Sequence, residues 1–175
     1  MNKTVLSILA TVLIGTKCHA FDLTGTYFYA SGQKHDVDPT LLFAMALAES
    51  GKRDGGNVSP YPYALRTHEP FYPGSKIEAV KKLTEIFDSG TTKVDVGVMQ
   101  VNVYWQRHLI DDPFRLLDPE YNIDTGAQVL AENIQLSNGD IALAVSRYNS
   151  WTDPRAYAYS QRVMSIYANL KQLER

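Results

Sequence analysis

The chain has 175 residues, 45% of them hydrophobic and 21% charged, with a formal net charge of −2. That is enough chain to build one globular domain around its own core. The near-neutral balance, without a basic block or a glycine–aromatic pattern, argues against a nucleic-acid partner, and one cysteine with four scattered histidines leaves no disulfide framework and disfavours a structural zinc site.

Residues 1–20 read as a secretory signal. Lys3 gives a short basic start, Val5 to Ile14 is mostly apolar, and Cys18-His19-Ala20 places small residues where a signal peptidase needs them, so cleavage is expected after Ala20. The apolar run is too short for a stable transmembrane helix of ~20 residues, so no membrane anchor is expected after cleavage. Lys17 beside Cys18 disfavours lipoprotein processing. The remaining domain, residues 21–175, loses the only cysteine with Lys3 and Lys17; the expected compartment is the periplasm.

Leu23 to His35 reads as a modest helix with aromatic residues on one side, weakened by two glycines. Asp38-Pro39 starts the next helix, Asp as N-cap and Pro at the first helical position, with Val37 placed as a hydrophobic staple. Leu41 to Ala48 carries no charge, so every face of this helix can be buried. It ends on Glu49-Ser50-Gly51, where Gly51 is expected to close it in the left-handed conformation. A carboxyl at the negative end of a helix dipole in apolar surroundings is pushed toward its neutral form. On this helix alone, a surface glutamate closing a core helix is an equally good reading.

Between Lys52 and Lys93 the character changes to that of an insert. Asp54 to Asn57 is a breaker cluster, Pro60 to Arg66 is expected to pair with Phe71-Tyr72 in a short hairpin, and Lys76 to Phe87 spaces Ile77, Val80, Leu83 and Phe87 at helical intervals. Val94 to Trp105 is apolar and β-branched, a buried strand by periodicity alone. Pro113 and Pro119 punctuate a linker. Helices are expected over Pro119 to Leu136, with Ile123, Ala127, Leu130 and Ile134 inward, and from the Asp140 cap to Asn149. The last helix is expected to turn Val163, Ile166, Tyr167, Leu170 and Leu173 to the core. The fold class is mainly α, with a small hairpin-plus-helix insert.

No His-Glu-x-x-His, no Gly-x-Ser-x-Gly and no phosphate-binding loop is present. What remains is Ala46-Leu-Ala-Glu49-Ser50, Gly97-Val-Met-Gln-Val101, Asn122-Ile-Asp-Thr-Gly126, Ser146-Arg-Tyr-Asn149 and Tyr159-Ser-Gln-Arg-Val163. In this order they resemble the lytic transglycosylases of the Slt, goose-lysozyme-like family. The resemblance covers most of the chain outside residues 1–20 and the insert. It replaces the strand expectation over Gly97 to Gln100 with a loop that feeds a helix and lines a sugar cleft. Asp95, Asn102 and Trp105 around that loop resemble the subgroup associated with conjugation and secretion machines, and the Pro60 to Leu65 insert is similar to one in transglycosylases of integrating conjugative elements.

The resemblance implies a lysozyme-like α+β fold and a peptidoglycan lytic transglycosylase that needs no cofactor. Such an enzyme cuts the β-1,4 bond between N-acetylmuramic acid and N-acetylglucosamine and leaves 1,6-anhydro ends. Glu49 would be its single catalytic group. Tyr159 would orient Glu49, Gln100 and Asn149 would bind N-acetyl groups or ring hydroxyls, Tyr148 would wall the cleft, and Ser50 would hold the intermediate or the catalytic loop. Met99 and Asn102 complete the implied substrate-binding set, although Met99 and Tyr148 read more readily as packing residues. Asp95 reads as a turn cap rather than a catalytic group. Where the family often has a glycine soon after Tyr-Asn, Ser150-Trp-Thr-Asp153 follows here, which changes the loop beyond Asn149. The implied partners are glycan strands and, from the subgroup, components of a conjugation or secretion apparatus. Two other readings stand beside this one: a lysozyme-type hydrolase with Asp95 activating water, and a catalytically idle wall-binding assembly protein.

Overall fold

In a computed structural model, residues 21–152 and 154–174 are described; the expected signal peptide lies outside them. Among the described residues, six helices and a 3-10 helix surround two small antiparallel sheets. The fold is mainly α, as the sequence reads.

The first helix, α1 (Tyr27–His35), starts from a Thr26 cap and packs against α2 (Pro39–Ser50). α2 is the centre of the molecule. Asp38 accepts a hydrogen bond from the Thr40 amide at 2.8 Å, and a cap of this kind contributes about 1 kcal/mol. The same carboxylate accepts from the Tyr167 hydroxyl at 2.7 Å, which ties the last helix to the start of α2. Leu42, Ala44, Met45 and Ala46 are fully buried, each larger side chain contributing about 1.5–3 kcal/mol of burial.

Gly51 corrects the sequence reading. It has φ −53° and ψ 116°, so it is not left-handed. Instead it leaves the helix directly into a strand, and a Cβ there would lie 2.3 Å from the Leu47 carbonyl oxygen. The glycine is required for close approach rather than for a left-handed turn.

Strand β1 (Gly51–Asp54) pairs with β2 (Asn57–Pro60), Gly51 opposite Pro60 and Asp54 opposite Asn57. The breaker cluster is thus the tip of a hairpin. The second sheet has the order β4-β3-β5-β6, all antiparallel. β3 (Leu65–Arg66) and β4 (Pro70–Phe71) form the expected aromatic hairpin, Leu65 opposite Phe71. β3 also pairs with β5 (Asp95–Val96), and β5 with β6 (Val101–Asn102). The insert therefore shares its sheet with the segment that follows it. The apolar stretch from Val94 is strand at both ends and turn over Gly97 to Gln100, and it leads into further turns rather than directly into a helix.

α3 (Lys76–Asp88) begins at a Ser75 cap and rests on the 3-10 helix Pro113–Leu117. Its inward residues are Ala79 and Leu83, whereas Ile77 is 83% exposed, so the buried stripe is rotated from the expected one. α4 (Pro119–Leu136) packs on α1 and on α5 (Ile141–Asn149), burying Ile123, Ala127 and Leu130 as expected. α6 (Arg155–Leu173) closes the core against α2 and α5 through Val163, while Leu173 stays exposed. No helix among the described residues is long and apolar enough to cross a membrane.

Candidate active site

The end of α2, the four-residue turn after β5 and the end of α5 meet around one cavity of about 700 Å³. Local chemistry fixes each of these pieces. Ser50 is fully buried, and its hydroxyl donates to the Val98 carbonyl at 2.7 Å and to Ala46 at 3.2 Å while accepting from the Tyr61 amide at 3.1 Å. One small hydroxyl thus joins α2, the turn and the insert. Bonded in this way, the buried hydroxyl is left neither without an acceptor for its proton nor without a donor to its oxygen.

The turn itself needs special backbone. Gly97 has φ +80°, and a Cβ there would lie 2.4 Å from the Asn122 side chain and 2.5 Å from the Leu116 carbonyl. Gln100 has φ +47°, held by its side-chain amide donating to the Ala64 and Gly97 carbonyls, both at 3.0 Å. Asn122, at the start of α4, accepts from the Met99 amide at 2.7 Å and donates to Val96 at 2.8 Å and Leu116 at 3.0 Å. The Tyr148 hydroxyl donates to the Met99 carbonyl at 2.8 Å. Gly126 lets Met99 seat directly on α4, where a Cβ would come within 2.7 Å of it. Four of the sequence motifs are therefore parts of one clamp on the turn.

Glu49 faces the cavity and is only 8% exposed. Burial raises its pKa from the ordinary carboxyl value to about 7; Asp95 pushes the same way, and the Tyr159 hydroxyl, Arg66 and Arg162 oppose the rise. Desolvation penalises the charged form, so this carboxyl keeps its proton near neutrality. The Tyr159 hydroxyl is buried close enough to Glu49 to affect its ionisation, yet it falls outside hydrogen-bonding geometry and has no partner. Burial, together with the Glu49 charge, holds Tyr148 and Tyr159 protonated.

Arg66 and Asp95 complete the polar floor. The Arg66 guanidinium donates to the Glu49 backbone carbonyl at 3.0 Å and lies across the β3–β5 ladder from Asp95. Asp95 is not a turn cap, as the sequence reading had it. It lines the same cavity as Glu49 and accepts from the Asn102 amide at 2.7 Å. Its own pKa is raised by burial, against the Asn102 hydrogen bond and Arg66.

Of the residues singled out from sequence, Glu49, Gln100, Asn102, Tyr148 and Asn149 line the cavity. Ser50 and Met99 are fully buried behind it, and the Tyr159 hydroxyl is buried close enough to Glu49 to interact with it. Arg66, Glu132, Asn133 and Trp151 line it too and were not anticipated. Arg66 had one faint signal, being the only charge between Pro60 and Arg66. Another concavity of about 730 Å³ lies between α1, α3 and α4, but two of its cations are already paired, Lys34 with Asp124 at 2.7 Å and Arg115 with Asp111 at 2.6 Å. It holds no buried acid. Among the described residues no group of His, Cys, Asp or Glu is placed to hold a metal ion.

This arrangement gives a protonated carboxyl at the edge of a groove large enough for sugar rings, with amide groups and aromatic faces around it. It suits proton donation to a leaving oxygen. Residues 26–162 match the family model of the transglycosylase SLT domain. No curated protein and no solved structure matches the chain significantly.

Proposed function

The chain belongs to the transglycosylase SLT domain family, lytic transglycosylases that cleave glycosidic bonds in peptidoglycan, and within that activity we propose that Glu49 is the single catalytic acid and base. The observation that carries this reading is the burial of the Glu49 carboxyl at the wall of the cavity, which raises its pKa to about 7. Family membership makes the chain an enzyme rather than an idle wall-binding protein.

The reaction proceeds without water. Glu49 gives its proton to the oxygen linking N-acetylmuramic acid to N-acetylglucosamine, and the bond from that oxygen to the muramic C1 breaks. The 6-hydroxyl of the same muramic residue then attacks C1, and its proton passes to the Glu49 carboxylate. A 1,6-anhydro ring forms and Glu49 regains its starting state. A nucleophile attached to the substrate has high effective molarity, which removes the need for a second carboxylate to activate water. Tyr159 serves the intermediate stage. Its unpartnered hydroxyl donates to Glu49 once the carboxylate has formed, and so restrains the anion that burial disfavours.

Asn149 binds N-acetyl groups and ring hydroxyls, and Gln100, whose amide N–H groups are committed to the Ala64 and Gly97 carbonyls, has its side-chain oxygen left to accept from the sugar. Asn102 has its amide committed, to Asp95 on one side and to the Tyr104 and Trp105 amides on the other at 3.1 Å, and so orders the cavity floor. Ser50, Met99 and Tyr148 hold the turn in place. The signal-like residues 1–20 support export to the periplasm, and the Asp95, Asn102 and Trp105 pattern supports local wall opening for a conjugation or secretion apparatus.

One observation favours a second reading. Asp95 shares the cavity with Glu49, the placement a hydrolase would use for a base that activates water. Its engagement by the Asn102 amide, which occupies one of its carboxylate oxygens, weighs against that role. The test of Glu49 is Glu49→Gln, assayed for release of soluble muropeptides and for co-sedimentation with insoluble peptidoglycan. Loss of turnover by at least about 100-fold with sedimentation intact is expected; unchanged release would remove Glu49 from the chemistry.

A further inference from the structure

Large aromatic side chains that stay uncovered beside a cavity, yet are held in place, mark a surface made for stacking. The sequence has two tryptophans, Trp105 and Trp151, and both line the cavity that holds Glu49. They are 61% and 59% exposed.

Each indole has a packing partner. The Trp105 amide donates to the Asn102 side chain at 3.1 Å. Its ring meets Tyr104 edge-on, with centroids 4.7 Å apart at 83°, and the Lys93 ammonium sits 5.5 Å from its centroid. Trp151 lies against the Arg147 guanidinium, 4.4 Å from the ring centroid. That guanidinium is itself fixed at the end of α4, donating to the Leu136 carbonyl at 2.7 Å and the Ser137 hydroxyl at 2.8 Å. Each ring is buttressed from one direction and more than half open.

We infer that Trp105 and Trp151 are stacking platforms that take the pyranose faces of N-acetylhexosamine units in the bound glycan. The inference rests on the reading that this cavity holds peptidoglycan strands, and it names how their rings are gripped. A pyranose ring presents axial C–H groups on its faces and hydroxyls around its rim. An indole covers the faces, whose C–H groups meet the negative π surface, and leaves the rim for amides. Such amides are adjacent: Asn149 stands two residues before Trp151, and Gln106 directly follows Trp105, all of them lining the same cavity. The loop that departs from the family pattern, Ser150 to Thr152, thereby supplies a ring contact of its own.

Because the chain has no other tryptophan, its indole emission reports these two positions alone. The Glu49→Gln protein, which binds without turnover, is titrated with soluble uncrosslinked glycan strands while emission and binding heat are recorded together. The expected result is a saturable emission change with the same midpoint as the heat, divided between Trp105→Phe and Trp151→Phe. With Glu49 intact, Trp105→Ala or Trp151→Ala raises KM about tenfold and leaves kcat within a few-fold, the outcome for groups that bind ground and transition states alike. The phenylalanine variants recover part of the KM. Binding heat with silent tryptophans, or alanine variants with an unchanged KM, overturns the inference and leaves the Glu49 reading standing. No binding heat at all overturns both.

Discussion

Glu49→Gln separates a buried acid from an ordinary surface glutamate through stability as well as through rate. The fold holds this carboxyl at a pKa of about 7, against 4.5 for the exposed group. Below the lower value both folded and unfolded chains carry the proton, and burial costs nothing extra. Between the two values the unfolded chain has released its proton while the folded protein keeps it, so stability falls as pH rises. Above pH 7 the loss is complete. At about 1.4 kcal/mol per pH unit the whole interval corresponds to about 3 kcal/mol. Glutamine keeps the shape and never ionises. Glu49→Gln is therefore expected to match the parent protein at about pH 4 and to exceed it by up to about 3 kcal/mol at about pH 8, roughly 6–12 °C in Tm for a domain of this size. Thermal and urea unfolding of both proteins at the two pH values measure the gap. A gap that does not grow with pH, or a glutamine variant less stable at about pH 8, would refute the claim that this carboxyl is held neutral.

Activity carries the same titration. Turnover is expected to fall as pH rises through about 7, because the acid is then deprotonated. Arg66→Met removes a cation that favours the carboxylate, so the falling limb should move to higher pH; a move to lower pH would contradict the part given to Arg66. Asn122→Ala leaves the Met99 amide and the Val96 and Leu116 carbonyls without this partner and should cost at least about 3 kcal/mol in urea unfolding, at about 1–3 kcal/mol for each buried group left unmet. Gly51→Ala pushes a methyl against the Leu47 carbonyl and should cost about 1–3 kcal/mol, whereas Gly56→Ala, in open space, should be nearly neutral. Equal costs at the two glycines would show that close approach does not explain Gly51.

The helices were legible because their apolar residues repeat at the period of a buried face. Ile123, Ala127 and Leu130 are inward as their spacing predicts, and Asp38 and Asp140 cap as their positions suggest. The β1–β2 hairpin was not legible. Its residues are almost all exposed, so no alternation records which side faces the core, and only Gly55-Gly56 marks the tip. Gly51 misled for a related reason: a glycine after a helix reads as a left-handed cap, and only the approach of Leu47 shows why it is glycine. Around the site, Glu49 was visible from its apolar helix. Arg66 was not visible as its neighbour, and Asp95 entered only through the hydrolase alternative, because a ladder between strands of two residues each brings them there. The motif residues proved to be divided between the cavity wall and the clamp behind it, a distinction that depends on burial and hydrogen bonding rather than on residue type.

The most direct test of single-residue catalysis is mass spectrometry of muropeptides released from purified peptidoglycan in heavy-oxygen water. Intramolecular attack by the 6-hydroxyl takes no oxygen from solvent, so the account predicts 1,6-anhydro products, lighter by one water than the reducing sugars and free of the label. Reducing ends carrying heavy oxygen would contradict it, and would make Asp95, as the base for water, the next residue to replace.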